Sequence, residues 1–207
     1  MGEENCMCQE VFEIVKKMDL LNVETRLALQ CAPVIAGIKM SNLLIASMED
    51  EEQVRAIFKG TGIQHYCLFR QQMKAIYFLY RIEELEAYLQ ELDVMHALKQ
   101  FGYIDLSMIS VIKKFQNRYE AYMNQRDEFP HELGILLGYP IEDVEGFIKN
   151  RGKNYLYVGY WKVYQDVEDK KLLFNAYESA KEGLLLLVAH GYPIRLIIEY
   201  FENNFIG

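Results

Sequence analysis

Apolar and polar residues alternate at helical spacing near the start of the chain. Over residues 9–18 the apolar positions are Val11, Phe12, Ile14, Val15 and Met18, which predicts an amphipathic helix. A second helix is predicted over Val23–Gln30 and is expected to end near Cys31–Pro33, since the residue before a proline avoids helical backbone angles. Met48–Lys59 predicts a third helix, with acidic residues in its first turn.

The pattern changes to that of strands after Gly62. His65–Phe69 and Lys74–Tyr80 are rich in aromatic and branched residues and are separated by a polar segment, so they predict a β-hairpin at about residues 63–81. Leu43–Ile45 predicts a third strand. From Ile82 onward the pattern is almost entirely helical. We therefore predict an α+β fold that is mostly helical, with a small antiparallel sheet in the N-terminal half and a helical C-terminal half.

A short motif typical of helix ends occurs three times in the second half of the chain, at Gly102–Ile104, Gly138–Pro140 and Gly191–Pro193. Each begins Gly-Tyr, follows an apolar helical run and precedes another. Glycine readily adopts the left-handed conformation that ends a helix, and proline pre-sets the first turn of the next one. We expect one domain over residues 1–207, with an α/β portion at 1–81 and a mainly helical portion at 82–207.

Composition excludes several classes of function. The chain has 207 residues, 51% of them hydrophobic, and a formal charge of -8. No apolar run approaches the roughly 20 residues that span a bilayer, and the N-terminus lacks the features of a signal peptide. A cytoplasmic protein is the expectation. The negative charge and the acidic helix after Pro140 argue against binding to duplex nucleic acid.

The four cysteines are interpreted as thiols, because disulfides are rare in cytoplasmic proteins. Cys6 and Cys8 lie one residue apart, whereas zinc sites usually need pairs two to four residues apart and a second pair elsewhere. We predict no metal site. The sequence identifies no cofactor.

Candidate chemistry is densest between Phe129 and Asp166. His131 and Glu132 follow a proline and fall in a predicted first helical turn, where the carboxylate suits the helix dipole. Histidine changes charge near neutral pH and is a candidate base or ligand-binding group. Further on, Trp161 and Lys162 combine an aromatic ring with a positive charge, which favours a phosphate, a nucleotide or a planar ligand. The alternative is a strand or loop whose rings cover the core.

A second compact motif runs from Cys31 to Lys39, with the sequence CAPVIAGIK. Its small residues permit close approach of backbones, and Lys39 adds a charge. A thiolate nucleophile at Cys31 needs a nearby base, for which His131 is the candidate. The two residues are 100 positions apart, so only the fold can bring them together. The alternative is a buried, inert cysteine.

At these two motifs the chain resembles an uncharacterised bacterial family, the domain of unknown function 3793. The resemblance covers about residues 25–175 and rests on the following segments: Cys31–Pro33, Ala36–Lys39, Phe129–Glu132, Leu137–Pro140, Asp143–Val144, Gly146–Ile148 and Gly159–Tyr164. It implies no activity, because none is assigned to the family.

Three hypotheses follow, in order of preference. The first is a binding protein for a small anionic or aromatic ligand, with Lys39, His131, Trp161 and Lys162 converging on one pocket. The second is a protein–protein interaction module, in which the apolar face of Ile194–Phe201 packs either in the core or across a homodimer. The third is a thiol-dependent transferase or hydrolase, with Cys31, His131 and Glu132 as candidate catalytic residues.

Overall fold

The computed structural model describes residues 9–204 and has the predicted α+β architecture. The strands are β1 Ser41–Ser47, β2 Ile63–Gln71, β3 Lys74–Arg81, β4 Tyr157–Val158 and β5 Lys162–Val163. The helices are α1 Gln9–Val15, α2 Val23–Ile35, α3 Glu51–Phe58, α4 Ile82–Tyr88, α5 Leu92–Gln100, α6 Met108–Met123, α7 Glu132–Leu136, α8 Ile141–Lys149, α9 Val167–Ala189 and α10 Ile194–Asn204. None of these helices is both long enough and apolar enough to cross a bilayer.

A three-stranded antiparallel sheet of order β1–β3–β2 lies between two helical layers. Side chains of β3 alternate between its faces with the period of two that a strand imposes. Ala75, Tyr77 and Leu79 pack with α1, α2, α3, the C-terminal part of α9 and the N-terminal half of α10. Phe78 faces the other layer, which α4 to α8 form. The central strand is therefore buried on both faces, as its near-continuous apolar sequence requires.

The predicted end of α2 is wrong by one turn. The helix runs through Pro33 and ends at Ile35. A proline removes one backbone donor, but near the end of a helix this costs only one internal hydrogen bond. The Pro33 carbonyl then accepts hydrogen bonds from the backbone N–H groups of Ile38 and Lys39, at 3.0 Å each, which closes the helix. The third predicted helix also differs, since Met48–Asp50 forms a separate 3-10 turn before α3.

The outer edge of β1 is covered by a side chain of α2. The Gln30 amide accepts a hydrogen bond from the Ile45 N–H at 2.9 Å and donates one to the Ile45 carbonyl at 3.2 Å. A neighbouring strand would make the same pair of contacts. Gln30 thus occupies backbone groups that an exposed edge strand would otherwise offer to another chain.

The repeated Gly-Tyr signals act as helix ends. Gly102, Gly138 and Gly191 have φ angles of 80°, 72° and 85°, in the left-handed region. The turn after Gly138 joins α7 to α8 and brings these two short helices together. A third, smaller cluster packs Trp161 and Val163 against Phe174 and Tyr177 of α9. Three of the candidate residues, His131, Trp161 and Lys162, lie where this cluster meets α7 and α8.

Candidate functional site

A cavity of about 360 Å³ lies between the α7–α8 helix pair and the segment that contains β4 and β5. We refer to it as the aromatic cavity, because six ring-bearing side chains line it. They are Phe129, His131, Tyr139, Phe147, Tyr160 and Trp161. Aliphatic side chains of α7 and α8 fill in between them, and Asp143 and Lys162 are the charged residues of the lining.

One group of rings begins at the loop before α7. The His131 ring lies 5.4 Å from the Phe129 ring and 5.6 Å from the Phe147 ring, measured between centroids. His131 is half-buried, and its ring nitrogens make no hydrogen bond to the described part of the chain. Because Phe129 and Phe147 hold the imidazole by apolar contacts alone, its nitrogens remain able to bind a ligand.

A second group of rings comes from the α7–α8 turn and the turn between β4 and β5. Tyr139 and Trp161 stack with their ring planes 26° apart and their centroids 4.7 Å apart. Trp161 also meets Phe174 of α9 edge-on, at 4.6 Å. Stacked and edge-on pairs of this kind contribute about 0.5–1.5 kcal/mol each beyond the area they bury. The indole is therefore held on two sides, which makes this part of the lining rigid.

Asp143 connects the helix pair to the strand segment. Its carboxylate accepts a hydrogen bond from the Trp161 indole N–H at 2.7 Å and one from the Tyr164 backbone N–H at 2.7 Å. The side chain is almost fully buried, and two charge-assisted hydrogen bonds compensate its loss of hydration. Asp143 thereby sets the orientation of the Trp161 ring in the cavity.

Two glycines in the lining allow the elements to approach closely. A methyl group on Gly159 would lie 2.3 Å from the Phe174 ring, and one on Gly134 would lie 2.8 Å from the Val144 side chain. Neither distance is sterically acceptable. These positions need glycine because the polypeptide backbone packs directly on a neighbouring side chain, and the cavity takes its shape from those contacts.

Lys162 lies at one side of the cavity. Its ammonium donates a hydrogen bond to the Gly152 carbonyl at 2.7 Å and lies 4.9 Å from the centre of the Tyr155 ring. The loop after α8 therefore folds against Lys162. His131, Trp161 and Lys162, which the sequence singled out, thus line one cavity.

Glu132 points away from the cavity into the helical layer. It is fully buried, and its Oε1 accepts hydrogen bonds from Arg118 of α6 and from the Tyr103 hydroxyl, the latter at 3.3 Å. Its Oε2 has no partner among the described residues. Burial raises the pKa of Tyr103, and the nearby Glu132 carboxylate raises it further. Glu132 thus has a structural contact that joins α7 to α6.

Cys31 and Lys39 lie elsewhere, at the junction of α2 and β1. Cys31 is fully buried, and its thiol donates a weak hydrogen bond to the Leu43 carbonyl at 3.6 Å. Burial raises its pKa to about 12, although the positive charge of Lys39 opposes this shift. A thiol with this pKa stays protonated at neutral pH and is a poor nucleophile. Cys31 is enclosed in the core cluster under the sheet and is not in the lining of the cavity that His131 faces, so the geometry does not support thiol chemistry by this pair.

Lys39 is buried, and its ammonium donates a hydrogen bond to the Asn42 amide oxygen at 3.1 Å. Burial lowers its pKa to about 8. The ammonium also lies 5.4 Å from the centre of the Tyr139 ring. Lys39 is not in the lining of the cavity but touches one of its rings from outside. The structure therefore does not bring Lys39 into one pocket with Lys162.

The apolar face of α10 packs in the core. Ile194, Ile197 and Ile198 are buried in the cluster under the sheet. This face is therefore occupied within one chain. Cys6 and Cys8 lie outside the described residues. Among residues 9–204 no group of three or more His, Cys, Asp or Glu side chains could hold a metal ion.

Sequence reasoning missed Tyr139, Asp143 and Phe147. Tyr139 belongs to a Gly-Tyr-Pro turn that was explained by helix capping alone. Asp143 and Phe147 were recognisable in principle, because residues four apart lie on the same face of a helix. That spacing places a carboxylate and a ring side by side on α8, but it does not show that they face a cavity.

Residues 27–198 match the model of the family described as Protein of unknown function (DUF3793). The resemblance inferred from the sequence is thereby confirmed. No curated protein and no solved structure matched the chain.

Proposed function

This chain belongs to the DUF3793 family, whose model covers most of it, and we propose that it binds a small planar ligand in the aromatic cavity. The observation that carries the proposal is the lining itself. Six rings from the loop before α7, the α7–α8 turn, α8 and the β4–β5 segment face one space of about 360 Å³. Ligand pockets have volumes of roughly 300–1,000 Å³ and a mostly apolar lining with few polar groups.

The arrangement of the rings favours a flat ligand over a rounded one. Tyr139 and Trp161 present stacked, nearly parallel rings, while Phe147 and His131 come from another part of the lining. An aromatic ligand that packs against such rings gains stacking energy of about 0.5–1.5 kcal/mol per pair in addition to the hydrophobic effect. Asp143 holds the indole in place before the ligand arrives, which reduces the entropy lost on binding.

The single tryptophan makes this proposal directly testable. Trp161 is the only tryptophan of the chain, so a 1H–15N NMR spectrum contains one indole N–H resonance, and it reports on the cavity. We expect 2-naphthylmethanol, a neutral planar probe, to shift this resonance saturably. Phe147→Ala removes one ring of the lining and is expected to weaken binding about 10-fold, which corresponds to the loss of about 1.4 kcal/mol.

Phe12→Ala is the matched control. Phe12 is half-exposed on α1 and does not line the cavity, so this variant should bind the probe as the parent chain does. The absence of any saturable shift, or equal weakening by the two substitutions, would contradict the proposal. Native mass spectrometry of the protein purified without added ligand then identifies any compound that remains bound.

A further inference from the structure

Basic residues lie at one side of the aromatic cavity. Lys162 lies in its lining, and the adjacent loop after α8, which contacts Lys162 through the Gly152 carbonyl, adds two more basic residues. These are Arg151 and Lys153. In the described part of the chain none of the three forms an ion pair. In a protein with a formal charge of -8, this is a local concentration of positive charge at a binding cavity.

The acidic groups of α8 are already engaged or face elsewhere. Asp143, the carboxylate in the lining, accepts one hydrogen bond on each oxygen, from Trp161 and from the backbone of Tyr164. Glu142 pairs with Lys170 at 3.2 Å. Glu145 is exposed and lines a separate groove on the other side of α8. Lys162 therefore has hydrogen-bonding capacity left for a ligand, whereas Asp143 has little.

The rings also argue against a cationic ligand. Clusters of aromatic rings are a known site for ammonium groups, which bind over ring faces. Here lysines already occupy this position, since Lys162 lies 5.7 Å from the centre of the Phe147 ring and Lys39 lies 5.4 Å from that of Tyr139. A positively charged ligand between these rings would be repelled by both ammonium groups.

We propose that the ligand is a planar aromatic anion, which packs its ring against the aromatic lining and directs a carboxylate or sulfonate to Lys162. This inference rests on the proposed function, because it concerns the same cavity. The anionic group accepts a charge-assisted hydrogen bond from Lys162, and the basic loop after α8 attracts it toward the cavity.

Three probes with the same ring system and different charge test the proposal. They are 2-naphthoate, 2-naphthylmethanol and 2-naphthylmethylammonium, each titrated while the Trp161 indole resonance is followed. We expect 2-naphthoate to bind about 10-fold more tightly than the alcohol, and the ammonium probe to bind least. Lys162→Met keeps the length of the side chain and removes its charge, so it should lower the affinity for 2-naphthoate to that for the alcohol.

Two controls accompany this experiment. Lys113→Met changes an exposed lysine of α6, away from the cavity, and should leave all three affinities unchanged. The parent chain provides a test without any substitution, because added salt should weaken the binding of 2-naphthoate and leave the binding of 2-naphthylmethanol unchanged. This second measurement applies even if Lys162→Met does not fold.

The outcomes separate this inference from the proposed function. If none of the three probes shifts the indole resonance, the proposed function itself is wrong. If the alcohol binds but 2-naphthoate binds no more tightly, or if the ammonium probe binds best, the cavity takes planar ligands and the inference about charge is wrong. If 2-naphthoate binds most tightly and the ammonium probe least, and if Lys162→Met removes this order while Lys113→Met keeps it, the result supports both the proposed function and the inference about charge.

Discussion

The sequence marks two places as chemically unusual, and the structure treats them in opposite ways. At the α2–β1 junction, Gln30, Cys31 and Lys39 direct their polar atoms to partners within the chain. At the aromatic cavity, the rings of Phe147 and Trp161 face a space of about 360 Å³. Each place combines a side chain capable of chemistry with a lysine: Cys31 with Lys39 at the junction, and His131 with Lys162 at the cavity. The polar groups are enclosed at the junction, whereas at the cavity they face an open space.

The difference shows what distinguishes a site from a structural motif. A buried polar group must be hydrogen-bonded, or folding leaves it without the water it had in the unfolded chain. The α2–β1 junction meets this requirement internally. The aromatic cavity has apolar rings that gain contacts only if something fills the space, and His131 has hydrogen-bonding groups to spare.

The largest expected difference concerns thiol reactivity. Cys31 is fully buried, so iodoacetamide reaches it only when the junction opens or the chain unfolds. Since native domains are stable by about 5–15 kcal/mol, we expect labelling at least ~1,000-fold slower than in urea, as measured by peptide mass spectrometry. Half-buried Cys67 is the internal comparison and should react sooner. Rapid labelling of Cys31 in the folded protein would show that the junction is open.

Truncation of an apolar side chain should lower the free energy of unfolding more at the α2–β1 junction than at the aromatic cavity. Leu44 of β1 is fully buried beside the junction, and Leu44→Ala is expected to lower the free energy of unfolding by about 2–5 kcal/mol, through loss of contacts and formation of a cavity. Phe147 already borders empty space, so Phe147→Ala should cost about 1 kcal/mol or less, even though it removes more atoms. Urea denaturation measures both values, and equal costs would contradict the comparison.

The charges at the junction predict a dependence of stability on pH. Burial lowers the pKa of Lys39 to about 8 and raises that of Cys31 to about 12. Between about pH 8 and 9 the folded chain releases the Lys39 proton while the unfolded chain keeps it, so the free energy of unfolding rises by about 1 kcal/mol or less. Above about pH 9 the cysteine ionises in the unfolded chain, whereas Cys31 stays protonated in the folded chain. This difference favours unfolding and cancels any further rise in the free energy of unfolding.

Lys39→Met should abolish this rise between pH 8 and 9, as followed by urea denaturation at each pH. Lys113→Met, at an exposed position of α6, is the control and should retain it. If Lys39→Met and the parent chain show the same rise, the lysine is solvated and the junction is less closed than its contacts indicate.

The smallest expected effect concerns the edge of β1. Gln30→Met keeps most of the side-chain volume but removes both hydrogen bonds to Ile45. We expect a loss of about 1 kcal/mol in the free energy of unfolding and self-association visible by light scattering, because the strand edge becomes available to a second chain. Gln53→Met, at an exposed position of α3, should do neither. A monomeric Gln30→Met variant would show that other groups protect the edge.

The elements were largely predictable because they depend on local pattern. The aromatic and branched residues of β3 and the apolar spacing of the helices predicted elements that are present in the structure. The exception at Pro33 arises from position, since a proline near the end of a helix removes only one bond and the helix continues to Ile35. The short strands β4 and β5 were not predicted with definite bounds, because two residues carry no periodic signal.

The site was predictable only in part, for a different reason. His131, Trp161 and Lys162 stood out because nothing in the local pattern explained them, and all three line the aromatic cavity. Glu132 is adjacent to His131 in the chain but points the other way, to Arg118. Successive residues of a helical turn diverge by about 100°, so proximity in sequence says little about which side chains share a site.

The sequence by itself determined the fold class, the family and the segment whose residues line the aromatic cavity, since these follow from periodicity and from motifs in linear order. Only the tertiary structure decided that Cys31 and Lys39 are enclosed, that Asp143 holds Trp161, and that Lys162 faces the cavity. These facts depend on contacts between residues distant in the chain. Whether a polar group is satisfied internally or left for a ligand is decided by the neighbours that folding brings to it.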